Sequence, residues 1–234
     1  MNNIFLNFDI FLSRISSKMI MAFIIIITIS LSGAIKVLAS STSNFTQEIT
    51  AGTIAADIVD ASYVTVGSPS VAMSNTPFSF SCQTITGTFG TNSQRVYVTN
   101  PDAADSGWSL TLAASSATDV WDSAGTDFDF NDPTGSGCTD GADADLLGGQ
   151  MTINPSAGTV AQGASAHGTT GISKGSSSAF SQGVTDSITI MTSDGTTDIG
   201  DWYITGVEVS QKIPAEQPAA ADYDINMVLT ATAT

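Results

Sequence analysis
The sequence predicts an all-β protein: an antiparallel β-sandwich with Greek-key or Ig-like connections, behind an N-terminal signal segment. Three observations point there. Short segments alternate apolar and polar residues with a period of two. Gly, Asn, Pro, Asp and Ser punctuate them. Beyond residue 39, no ten-residue stretch combines a helical period with a cap.

The strands are expected in chain order. Tyr63-Val64-Thr65-Val66, Phe78-Ser79-Phe80, Arg95-Val96-Tyr97-Val98 and Trp108-Ser109-Leu110-Thr111-Leu112 are alternating or β-branched. Met151-Thr152-Ile153, Ser187-Ile188-Thr189-Ile190 and Trp202-Tyr203-Ile204-Thr205 follow the same pattern. The last strand, residues 223–230, puts Tyr223, Ile225, Met227 and Leu229 on one face. Abundant Ser and Thr suit the solvent faces of antiparallel sheets. Two polar stretches break the rhythm. Residues 119–149 are rich in Asp and Gly. Residues 155–183 are rich in Gly, Ser and Ala, and read as a surface excursion or a pair of weak edge strands. Neither reads as a domain linker, because the apolar strands on both sides need each other as core. Residues 40–234 are therefore expected to form a single domain.

Residues 1–39 read as a signal peptide, with an uncleaved membrane anchor as the rival. Arg14 and Lys18 supply the positive start, Met19 to Ile35 is almost wholly apolar, and Val37-Leu38-Ala39 fits a small-x-small cleavage site. The expected location is extracellular, at the cell surface. Membrane contact is expected only through this segment, if it stays attached.

Charge excludes several functions. The 234 residues carry 22 acids and 6 bases, a net charge of −16. Three of the bases and one acid fall within residues 1–39. The remainder keeps only Arg95, Lys174 and Lys212 against 21 acids, a net of −18. Nucleic acid is excluded, since phosphate binding needs Lys and Arg. A hydrophobic fraction of 42% excludes disorder. Cys82 and Cys138 form an even pair, which in an exported chain suggests one disulfide. Such a bridge would contribute roughly 4 kcal/mol on the chain-entropy model.

The acidic stretch is the candidate metal site. Asp127, Asp129, Asn131 and Asp132 are followed by Asp140, Asp143 and Asp145. Grouped oxygen ligands suit Ca²⁺, the one cofactor expected. Asp127, Asp129 and Asn131 match the first three ligand positions of an EF-hand-like loop. The match fails at Asp132 and Cys138, where Gly and Glu are required. The alternation of Asp127, Phe128, Asp129 and Phe130 fits equally well a strand with a wet face, and the stretch then reads as a solvated acidic loop. Asp194, Asp198 and Asp201 form a second acidic group, which reads as ordinary turns.

No catalytic residue is assigned, and no enzyme is expected. His167 is the only histidine, which excludes a His-based zinc site. No Gly-x-Ser-x-Gly elbow marks a nucleophile. Trp108 and Trp202 sit in apolar strand contexts and are expected in the core. Trp121, between Val120 and Asp122, is expected to be exposed.

The run from Val96 through Asn100-Pro101-Asp102 to Gly107-Trp108-Ser109-Leu110 resembles the first signature of WxL-domain proteins. The segment Lys212-Ile213-Pro214-Ala215, followed by residues 223–230, resembles the C-terminal end of that domain. There Met227-Val228-Leu229 stands where the family has a second Trp-x-Leu. The resemblance implies a secreted, non-enzymatic surface β protein that associates non-covalently with peptidoglycan. On that footing Trp108, Leu110, Met227 and Leu229 are the wall-binding residues, and the rival reading makes them core residues that define the fold. The stretch from Phe45 to Ile58 more weakly resembles the start of TasA/camelysin-type fibre subunits. It implies a self-assembling fibre or surface-layer subunit, in which this strand pairs into a neighbour; it reads equally well as the first strand of its own sandwich. The expected partners are cell-wall glycan, other surface proteins or further copies of the chain.

Overall fold
The computed structural model describes Met21 and residues 46–48, 50–102, 106–165, 167–197 and 199–234. The expected signal segment lies outside the described residues, apart from Met21. The chain divides into two units, Met1–Glu48 and Ile49–Thr234. The second carries the fold described below.

The protein is all-β. Among the described residues, twelve strands form three four-stranded antiparallel sheets. The strands are β1 (Ala55–Val59), β2 (Gln83–Phe89), β3 (Arg95–Asn100), β4 (Trp108–Ala114), β5 (Gln150–Asn154) and β6 (Thr159–Gln162). They continue as β7 (Ile172–Lys174), β8 (Ser178–Ala179), β9 (Ser187–Ser193), β10 (Gly200–Thr205), β11 (Val207–Ile213) and β12 (Met227–Ala233). Sheet I runs β1-β3-β10-β6, sheet II β2-β11-β5-β8 and sheet III β12-β4-β9-β7.

Sheets I and II are two halves of one bent surface. β10 and β11 are separated only by Gly206, and β2 and β3 by the tight turn that closes between Thr91 and Gln94. β5 and β6 are separated by the 3₁₀ turn Pro155–Ala157. The ladder closes across the bend through the Gly206 N–H, which donates to the Gly90 carbonyl at 2.7 Å. Gly206 has φ +76°, a left-handed conformation that side chains with a Cβ resist. It also slips the side-chain phase by one residue. Before it Trp202 and Ile204 face inward, and after it Val207, Val209 and Gln211 do. Without that slip, one half of the strand would turn its apolar face to water.

Sheet III stacks on this surface. β1 lies against β12 and β6 against β7, so the strand order of sheet I matches that of sheet III. Trp108 of β4 meets Trp202 of β10 with ring centroids 5.5 Å apart, both fully buried. Around them pack Val96, Val98, Leu110, Leu112, Ile153, Ile188, Ile190, Ile204 and Val209. Opposite the β4–β9 ladder's register shift at Leu110/Thr111, Ile190 is the extra residue, and it too is buried. Cys82, just before β2, is bonded to Cys138 in the acidic stretch.

Several expectations change. Residues 63–66 follow a tight turn, with Tyr63 at φ +62° and its N–H on the Asp60 carbonyl, and pair only through the single bridge of Thr65 to Val59. Phe78 and Phe80 are exposed in an irregular segment and pack edge-to-face on each other. The last strand begins at Met227, later than its alternation implied. Residues 155–183 supply β6, β7 and β8, one short edge for each sheet. Ala55–Val59, all but its last residue within the fibre-like segment, pairs with β3 of its own sheet.

Candidate metal centre
Residues 128–132 of the acidic stretch are neither a wet-faced strand nor a solvated loop, whereas Asp140 and Asp145 farther along are exposed. Phe128, Asp129, Phe130, Asn131 and Asp132 are all buried. Both faces are covered. Phe128 stacks on Trp121 on one side, and Phe130 meets Phe180 edge-to-face on the other. The Asp129 N–H donates to the Gly148 carbonyl and the Met151 N–H to the Phe130 carbonyl, so the segment is laced to the chain that enters β5. Gly149 allows that lacing: a Cβ there would lie 2.0 Å from the Asp129 carbonyl oxygen.

Gln211 of β11 holds the segment from below. It is fully buried. Its Nε2 donates to the Asp129 carbonyl at 2.9 Å, and its Oε1 accepts from Trp121 Nε1 at 3.0 Å. Trp121 is therefore half-buried and hydrogen-bonded, where the sequence suggested exposure.

The seven expected calcium ligands separate into two groups. Asp129, Asp143 and Asp145 converge, with one carboxylate oxygen of each lying within 4.8 Å of the other two. Asp127, Asp132 and Asp140 lie outside that cluster. Asp127 Oδ1 accepts from the Ser123 N–H. Asp132 is a loop brace: Oδ1 accepts from the Thr134 N–H, and Oδ2 from those of Gly141 and Ala142. These donors hold the Asp132 carboxyl low, against the burial that pushes it up. Asn131 donates from Nδ2 to the Ala117 carbonyl, and Asp140 is exposed. The EF-hand-like spacing thus does not describe the cluster, which joins a buried strand-like segment to the loop that folds over it.

The electrostatics of the three differ. Asp129 is 1% exposed. Its Oδ1 accepts from the Phe130 and Asn131 N–H groups at 2.6 and 3.2 Å. Its Oδ2 is buried without a hydrogen-bond partner. Burial pushes this carboxyl up to about 7, with the charges of Asp145 and Asp143 adding and the two backbone donors opposing. Desolvation likewise pushes Asp145 up to about 6, with Asp143 and Asp140 adding and the Leu147 N–H opposing. Asp143 Oδ1 accepts from the Asp145 N–H, which ties the two loop carboxylates together.

The second acidic group is structural. Asp201 is buried on β10 and accepts from the Tyr97 hydroxyl, the Ala164 N–H and the Ser165 N–H. Asp194 accepts from the Thr196 N–H, and Asp198 lies outside the described residues.

Trp108 and Leu110 are completely buried and present no side-chain surface to a polymer. Met227 and Leu229 are partly buried and line an open cavity of about 460 Å³ with Val71, Met73 and Ile225. Sequence reasoning passed over that cavity, because Val71 and Met73 lie in an irregular segment with no period.

No family model, curated protein or solved structure matches the chain.

Proposed function
We propose that the chain is an exported, non-enzymatic structural protein of a bacterial cell surface that associates non-covalently with the peptidoglycan wall. The observation that carries this reading is the pairing of β4 with β12. The two segments that resemble the WxL signatures are far apart in sequence, yet they run as hydrogen-bonded neighbours. Leu112 lies opposite Leu229 and Ala114 opposite Met227. Trp108 and Leu110 anchor this pair to the core from behind. Met227 and Leu229, at the cavity wall, are its reachable members. The Cys82–Cys138 bridge fits an oxidising compartment outside the cytoplasm.

A self-assembling fibre or surface-layer subunit is the second reading. β12 favours it: Met227–Ala233 is a seven-residue sheet edge without charge or proline, a surface on which another strand can pair.

Co-sedimentation tests the wall reading. The full chain, disulfide intact, is expected to pellet with purified peptidoglycan. A chaotrope, without wall hydrolase, is expected to release it. A chain that stays in the supernatant contradicts the reading.

A further inference from the structure
The Asp129–Asp143–Asp145 cluster makes poor sense as a closed, self-sufficient piece of the fold. Three carboxylates within 4.8 Å of one another repel. One of them is 99% buried and leaves an oxygen, Asp129 Oδ2, with no donor. Buried polar atoms are nearly always satisfied, and an unsatisfied charged one is costly. Neither Lys174 nor Lys212 relieves it. Lys174 Nζ donates to the Ser156 and Gly158 carbonyls, and Lys212 Nζ to Thr84. Arg95 donates to Asn92 and Ala61.

The arrangement is also held in place. Asp132 pins Gly141 and Ala142, the disulfide pins Cys138, and the Gly148 and Gly149 carbonyls accept from Asp129 and Asp132. The loop that carries Asp143 and Asp145 is thus fastened at both ends over the buried carboxylate.

We propose that Asp129, Asp143 and Asp145 bind a Ca²⁺ ion, with Asp129 Oδ2 as the buried ligand and the two loop carboxylates closing over it. The donor set is all oxygen, which selects a hard cation over a thiophilic or imidazole-seeking metal. Calcium accepts six to eight oxygens in flexible geometry, so water can complete a site of three carboxylates at a loop edge. Magnesium demands near-ideal octahedral geometry and gives up its water reluctantly. The ion supplies the positive charge that Arg95, Lys174 and Lys212 do not.

Calcium alone is the probe. The full chain is stripped with EDTA and melted with and without millimolar CaCl₂, against NaCl of matched ionic strength. Calcium is expected to raise the melting temperature and NaCl to leave it unchanged. Asp143→Asn and Asp145→Asn, on the loop, are expected to abolish the calcium shift while the metal-free protein still melts cooperatively. Asp140→Asn, outside the cluster, is expected to keep the shift. No shift with calcium, an equal shift with NaCl, or a shift that survives Asp145→Asn overturns the proposal. These outcomes are independent of whether the chain binds wall.

Discussion
At the scale of single residues, the buried carboxylates carry opposite meanings. Asp201 is saturated. The Tyr97 hydroxyl and the Ser165 and Ala164 N–H groups hold its carboxyl below the usual range, against the burial that pushes it up. A carboxyl lowered on folding adds stability above its unfolded pKa of about 3.9, and loses it as pH falls through the folded value. The protein is therefore expected to lose melting temperature as pH drops below about 4. Asp201→Asn is expected to melt lower near neutrality and to show a shallower acid fall. The check is a melting series across that range; parallel slopes for the two proteins would contradict the assignment. Asp129 is the opposite case, a carboxylate half satisfied and pushed up. In the sequence these residues are hard to tell apart, since each is an Asp beside a large aromatic residue. Donors separate them: Tyr97, Ala164 and Ser165, distant in sequence, reach Asp201, while Asp129 Oδ2 has no hydrogen-bond partner.

At the scale of elements, the alternating strands were the legible part. Residues 95–98, 108–112, 151–153, 187–190 and 202–205 all lie in strands, because a half-buried pleated strand writes its period into the sequence. Val64 misled because the tight turn at Asp60 and Tyr63 limits its pairing to a single bridge, Thr65 on Val59, and Phe78 because its segment is irregular. β2 was passed over, although Gln83–Phe89 alternates Thr with Ile85 and Gly87, because so few of its residues are large and apolar. The bend was invisible for a different reason. A lone glycine between two strands reads as a turn, whereas Gly206 lets one strand cross from sheet I to sheet II and change phase. Gly206→Val is expected to destabilise by at least about 1–2 kcal/mol, the cost of placing a side chain in the left-handed region. Urea unfolding measures it, and an unchanged midpoint would contradict the role given to the bend.

At the scale of the whole molecule, the acid balance has two parts. Eight acids lie between Asp119 and Asp145, and three of them converge on one point. Apart from the buried Asp132 and Asp201, the other described acids lie partly or fully exposed on a base-poor surface, where like charge discourages unwanted association. The sandwich, the disulfide and the core Trp pair were legible from strand period and cysteine count. The three-member cluster was legible only as a region, because its partners come from a buried segment and from a loop whose path the sequence does not reveal. The two surface readings differ in what the molecule does with its uncharged edge, β12. Electron microscopy of the full chain mixed with purified peptidoglycan tests the central claim most directly. Wall fragments decorated with protein and no filaments are expected; filaments beside bare wall would overturn wall association.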